Sequence, residues 1–308
     1  MHLVHSQTIQ LHDFIGEYIP PYAILSHRWE NEEITYTDMQ RGSRRKRRSK
    51  AGYAKLKKSC AQASKDGLEY VWIDTCCIDK SSSAELSEAI NSMFKWYRDA
   101  NICYAYLSDV RFWFPENPEA VSHFQASMWF TRGWTLQELI APKIVNFFMC
   151  GPTGWDLVGS KNDLLSILAG STGINESVLR GEDFRNCSVA TRMSWAARRV
   201  TTRAEDLAYC LLGLFDVNMP LLYGEGEKAF IRLQEEIMRG SDDHSLFVWR
   251  SKSSKTSKMT SRLSGLLADS PSQFRDCPTL VSLPDFASSV PYSMTNRGLQ
   301  IELPLVEG

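Results

Sequence analysis

Short apolar runs alternating with amphipathic helical segments predict an α/β fold, a mainly parallel sheet flanked by helices. Three observations carry that prediction. Four strand-like runs between residues 20 and 150 are separated by helical segments or long connections, and strands joined by crossovers run parallel. From about Ser160 the pattern turns helical, which predicts a helical C-terminal extension. Short β-like pieces return near the end and predict a β-rich tail. The chain is therefore divided into a domain over residues 1–245, extension included, and a linker with a β-rich segment over 246–308, the start of a further region.

The elements follow in order. Tyr22-Ala-Ile-Leu-Ser26 follows Pro20-Pro21 and is uniformly apolar up to its last residue, the pattern of a strand buried on both faces. Lys50 to Ser64 reads as a helix ending near Gly67, and Tyr70-Val-Trp-Ile-Asp74 as a second buried strand. Ser82-Ser-Ala-Glu85 has capping-box spacing, and Leu86, Ala89, Ile90, Met93 and Tyr97 continue at helical intervals. Ile102 to Leu107 is a third strand. A long aromatic loop with Trp113, Phe114 and Trp129 leads to a short helix, Trp134 to Leu139, and a fourth strand, Ile144 to Phe148. Helices are expected at Asp163–Leu168 and Ala190–Val200, and Thr202-Arg-Ala-Glu205 predicts a capped helix running through Leu212 and stopping near Gly213. A charged amphipathic helix spans Gly226 to Met238, a flexible Ser/Lys-rich loop Ser251 to Arg262, and β-like pieces Leu280–Leu283 and Leu299–Leu303.

Composition removes several functions. Among 308 residues, 36 acids nearly balance 35 bases, which argues against a dedicated nucleic-acid binder. Seven bases and no acid fall within Arg41–Lys50, so with a net charge of −1 the remainder carries −8. That run reads as a solvated loop, with a nuclear signal or an anionic-surface contact as the alternative. No apolar run is long enough to span a membrane, and the N-terminus lacks the apolar stretch of a secretory signal. A cytoplasmic, reducing compartment is expected, with nuclear residence the alternative offered by the basic run. The eight cysteines are scattered; neither C-x-x-C nor H-E-x-x-H occurs, and no metal is expected. Cys76-Cys77 reads as a pair of buried structural thiols, with a redox-active vicinal pair as the alternative. Leu222-Tyr-Gly-Glu-Gly-Glu-Lys228 lacks phosphate-loop spacing and reads as the first turn of a helix.

Ligands of parallel sheets bind outside the carboxyl ends of the strands. Those ends carry Ser26-His27-Arg28, Asp74-Thr75 and Ser108-Asp109. In Arg132-Gly-Trp-Thr-Leu-Gln-Glu-Leu139, Trp134 and Glu138 are four apart and share a helix face. An aromatic plane beside a carboxylate suits a cationic ring or a sugar, one stacking and the other facing hydroxyls or developing positive charge. The alternative is structural: Trp134 in the core, with Glu138 solvated or paired to Arg132.

Taken together, several runs resemble the fungal heterokaryon-incompatibility (HET) domain. They are Tyr22 to Trp29, Val71 to Lys80, Asn101 to Ser108, Arg132 to Pro142, Arg203 to Phe215 and Met219 to Gly226. HET proteins take part in nonself recognition that ends in cell death, and their HET domain often precedes nucleotide-binding and repeat modules on the same chain. The family is in turn distantly similar to TIR domains, which implies a flavodoxin-like sheet. Ile24 to Arg28 resembles the first TIR strand, Trp72-Ile-Asp74 the second, and Trp134-x-x-x-Glu138-Leu139 the motif whose glutamate cleaves the nicotinamide–ribose bond of NAD, with Thr135 replacing its cysteine. The resemblance implies Glu138 as the catalytic residue and Ser26, His27, Arg28, Trp29, Asp74, Asp79 and Trp134 as substrate-binding residues. NAD is the implied substrate, no cofactor is expected, and self-association is the implied trigger. Most glycosidases need two carboxylates. Nicotinamide leaves a pyridinium as a neutral ring without protonation, so a single glutamate is sufficient. The alternative is a non-catalytic module acting through self-association and partner incompatibility proteins.

Overall fold

The computed structural model describes residues 1–16, 18–251, 265–280 and 292–302. Tyr22–His27 is buried at every position and forms the central strand β3; the chain reaches it through the hairpin β1 (His2–His5) and β2 (Leu11–Asp13). Two short helices, α1 (Tyr36–Arg41) and α2 (Arg44–Ser49), precede α3 (Gly52–Lys65) and β4 (Tyr70–Trp72). Then come α4 (Ser83–Asp99), β5 (Ile102–Leu107), α5 (Pro118–Gln125), α6 (Thr135–Ile140), β6 (Val145–Met149) and β7 (Asp156–Ser160). The helical extension comprises α7 (Leu165–Thr172), α8 (Glu176–Arg180), α9 (Val189–Ala196), α10 (Asp206–Tyr209), α11 (Leu212–Phe215) and α12 (Lys228–Gly240). A separate hairpin pairs β8 (Ser293–Thr295) with β9 (Gly298–Gln300).

The seven strands of the main sheet lie in the order β2-β1-β4-β3-β5-β6-β7. β3 pairs in parallel with β4 on one side and β5 on the other, and β5 with β6. The antiparallel strands are at the two edges. The α/β architecture with a helical extension and a β-rich tail is therefore as expected. Numbered from β3, the parallel strands run 2-1-3-4, the order of a flavodoxin-like sheet. The chain reverses its winding direction at β3, and the crevice such a reversal creates opens beyond the carboxyl end of that strand.

Several local expectations are corrected. The β1–β2 hairpin and β7 lie outside the predicted elements; each strand has at most five residues, too few for alternation to register. The aromatic loop contains α5, whose start is capped by Asn117 with Pro118 in the first turn, followed by a 3₁₀ turn over Met128–Thr131. The basic run is helical rather than a loop, with Ser43 capping α2. Ser82 does cap α4, accepting from Glu85 N–H, but the Glu85 carboxylate accepts from Asp79 N–H instead of closing the box. The Thr202 capping box is absent: Glu205 accepts from the N–H groups of Gly224 and Gly226, and Gly213 lies inside α11. The predicted helix over Ala190–Val200 ends at Ala196, because Val200 joins Arg132 in an isolated parallel bridge. Most of the Ser251–Arg262 loop, the run 281–283 and residue 303 lie outside the described residues.

Candidate active site at the carboxyl end of the parallel strands

The reversal at β3 places Ser26 and His27 in register with Ala105 and Tyr106 of β5, at the mouth of the crevice. Glu138 projects from α6 and its carboxylate accepts a short hydrogen bond from the Ser26 hydroxyl. Ser26 Oγ in turn accepts from the Trp129 indole N–H at 2.9 Å. The three groups form a polarised relay from indole to hydroxyl to carboxylate, joining β3, the 3₁₀ turn and α6. Glu138 is only 6 % exposed. Burial pushes its carboxyl up to about 7 and the Asp74 charge adds to this; the Ser26 hydrogen bond and the Arg132 and Arg199 charges oppose it. The group thus titrates near neutrality, a property of general bases.

Buried cations hold α6 at both ends. Arg199 donates through Nη1 to Arg132 O and to Thr135 Oγ1, both at 2.8 Å. Burial lowers its pKa to about 10, which leaves it cationic at neutral pH. At the other end Lys161 Nζ donates to Pro142 O at 2.8 Å and Leu139 O at 3.4 Å, on the carbonyl side where a cation complements the helix dipole. Gly133 makes the approach possible: its N–H donates to Val200 O at 2.9 Å, and a Cβ there would lie 2.5 Å from Thr201 Cγ2.

A second group gathers at the same strand ends. Trp29 is 43 % exposed, donates its indole N–H to Asp74 Oδ2 at 2.7 Å, and carries Lys80 Nζ 3.5 Å from its ring centroid. His27 is buried with neither ring nitrogen hydrogen-bonded; Asp74 Oδ1 and Glu33 Oε1 each lie 3.9 Å away. Burial first, then the Lys55, Arg132 and Lys80 charges, hold its pKa well below the usual histidine range, so it is a neutral imidazole. Lys55 braces the loop after β3 from α3, donating to Arg28 O and Glu33 Oε1.

Sequence comparison bears on this architecture. The family model for the heterokaryon incompatibility protein (HET) matches residues 22–112. Over 231 residues the chain is 51 % identical to the vegetative incompatibility protein HET-E-1 of Podospora anserina. The chain belongs to the HET family. The alignment covers 73 % of this chain and 16 % of HET-E-1, so the chain spans less than a fifth of that relative. A model for a domain of unknown function (DUF8212) matches residues 228–307, and no solved structure matches.

In this HET domain the matched segment 22–112 holds Ser26, His27, Trp29 and Asp74, whereas Glu138 comes from beyond it. Of the residues singled out from sequence, Ser26 and Glu138 are in contact, and His27, Trp29 and Asp74 gather beside them. Arg28 is at the rim, its Nη1 3.0 Å from Met128 Sδ. Trp134 is half-buried and faces Asp206, whose carboxyl burial pushes up and hydrogen bonds from Tyr223 and Trp134 partly draw back. Asp79 is tied to the start of α4: its carboxylate accepts from Ser81 N–H and Oγ at 2.9 and 2.6 Å, and its own N–H donates to the Glu85 carboxylate at 2.8 Å. Trp129, Arg199 and Lys161 belong to the site without a sequence motif that marks them. Trp129 precedes the Arg132–Leu139 motif closely enough to be suspected, but nothing local marks a cation 61 residues after Glu138 as its counter-charge.

Proposed function

We propose that this HET domain is the effector of a nonself-recognition response that ends in cell death, and that it cleaves the nicotinamide–ribose bond of NAD when copies assemble. The observation that carries the reading is the buried Glu138–Ser26–Trp129 relay at the winding reversal of the sheet. The relationship to a vegetative incompatibility protein supplies the biological setting.

The chemistry uses this chain's own groups. The bond between ribose C1′ and the pyridinium nitrogen breaks, and its electron pair stays on nicotinamide, which leaves neutral. Positive charge then develops on the ribose, and the Glu138 carboxylate is the group to stabilise it. Water adds at C1′ and gives up a proton, which a carboxylate titrating near 7 can accept. The products are ADP-ribose, nicotinamide and a proton. Arg28, at the rim, is suited to the diphosphate because guanidinium pairs bidentately with phosphate oxygens. Trp29 offers a stacking plane.

Burial of Glu138 makes the described state a closed one. Substrate entry requires the Trp29–Asp74 hydrogen bond, the Lys80 contact and the Arg28–Met128 contact to part. Assembly of several copies would supply that opening. The same burial favours a second reading, in which the face never opens and the domain signals through self-association alone. Expression of the chain in a fungal host separates the two. Under the enzymatic reading cellular NAD falls before viability does; death with NAD unchanged supports the signalling reading.

A further inference from the structure

Far from Glu138 in the sequence, the basic run and the first hairpin line an open-sided cavity of about 280 Å³. One wall is α2, whose Arg44, Arg47 and Arg48 fall three and four apart and therefore share a helix face. The opposite wall is the turn between β1 and β2, which contributes Thr8 and Gln10, and Tyr53 at the start of α3 completes the lining. Among the described residues the lining holds no carboxylate, and α2 itself contains no acid. Arg47 is the informative member. Its Nε is buried without a hydrogen-bond partner, and its Nη1 meets only the soft sulfur of Met39 at 3.4 Å. A guanidinium held this way lacks the anion its donors are shaped for. The turn across from it keeps Ile9 at φ 52°, a left-handed conformation that is an outlier for a β-branched residue.

We propose that this cavity is a phosphate-binding site, independent of the reading of Glu138. Three guanidiniums converging from one helix face, opposed by hydroxyl and amide groups, match the geometry and charge of clustered phosphate oxygens. The cavity falls just under the usual 300–1,000 Å³ of small-molecule pockets, so it takes a compact phosphorylated headgroup and not a whole dinucleotide. The ligand is a pyrophosphate or polyphosphate ester, free or displayed by a lipid. A nucleic acid is disfavoured, because the chain outside the basic run carries −8 and repels an extended polyanion.

Calorimetric titration of the full chain with inorganic pyrophosphate tests the site, with phosphatidylcholine vesicles, with and without a phosphoinositide, as a second arm. Arg44→Ser/Arg48→Ser removes two cations from the cavity face; Arg45→Ser/Lys46→Ser removes two from α2 residues that do not line it. The site predicts saturable pyrophosphate binding that weakens by about tenfold or more in the first variant and stays near parental in the second, with both melting like the parent. Co-sedimentation with phosphoinositide vesicles that pyrophosphate competes away assigns the ligand to a lipid; pyrophosphate binding without co-sedimentation assigns it to a free phosphate. Equal weakening in the two variants, no pyrophosphate binding, or tighter binding to a single-stranded oligonucleotide overturns the proposal.

Discussion

Burial of Glu138 makes its charge costly, and the cost sets a pH dependence. Its carboxyl titrates at about 7 in the native chain against an ordinary 4.5. Between these values the native state binds the extra proton, so stability is greatest below the unfolded value and falls as pH rises towards 7. The shift corresponds to about 3 kcal/mol once the group is fully ionised. Glu138→Gln, which keeps the shape and can still accept from Ser26, is therefore predicted to stabilise the domain at about pH 8 and far less at about pH 5, measured by denaturant titration at both. A surface glutamate would change by no more than about 0.5 kcal/mol at either pH, so the burial of Glu138 is what separates the two outcomes. Ser26→Ala makes the complementary prediction. Ser26 hydrogen-bonds the charged carboxylate, so its loss raises the Glu138 pKa further. Nicotinamide release, which needs the ionised form, should then reach half its plateau at a higher pH than in the parent; an unmoved profile removes Ser26 from the relay. The pairing of Ser26 with Glu138 was only partly legible in the sequence. Both residues stood out, one at a strand end and the other in its motif, but a contact across 112 positions is decided by topology.

α6 shows what a short element needs in order to hold a side chain still. Six residues cannot sustain a helix alone, and here Arg199 and Lys161 occupy its two ends. Gly133 admits the 199–201 segment that carries one of those clamps. Gly133→Ala is predicted to push Thr201 away and cost about 1–3 kcal/mol, the range for overpacking, read as a lower denaturation midpoint with unchanged slope. A neutral effect would show that the segment yields without consequence. Elements whose residues speak for themselves were legible: β3 and β5 by continuous burial, and α4 by its cap and apolar face. Those governed by partners elsewhere were not. The predicted helix after Thr202 starts only at Asp206, with Glu205 serving the 224–226 loop instead of a capping box, and it is interrupted at Cys210–Leu211 between α10 and α11.

At the scale of the whole molecule, the helical extension and the sheet share one core. α11 packs on α4, where a Cβ at Gly213 would collide with Phe94, and Phe94 also meets Phe184 edge to face. Asn91 of α4 reaches Met219, donating to its carbonyl and accepting from its N–H. Farther along, Gln234 of α12 exchanges two hydrogen bonds with Ala268. A chain ending at residue 160 would expose that face of α4 and remove Lys161 and Arg199 from α6, so it is predicted to be insoluble or to lack a cooperative transition. A soluble 1–160 fragment with a sharp melt would contradict this. The sequence pattern disclosed that the extension was helical and apolar on one face, but not that it would clamp the element bearing Glu138. The central claim, that the charge of Glu138 cleaves NAD in assembled copies, is tested most directly by nicotinamide release from NAD by the purified chain across a range of protein concentrations, beside Glu138→Gln. Release that rises more steeply than concentration, and falls by about 10²–10³ in the folded variant, is the predicted result; no release at any concentration, or equal release from both proteins, would contradict it.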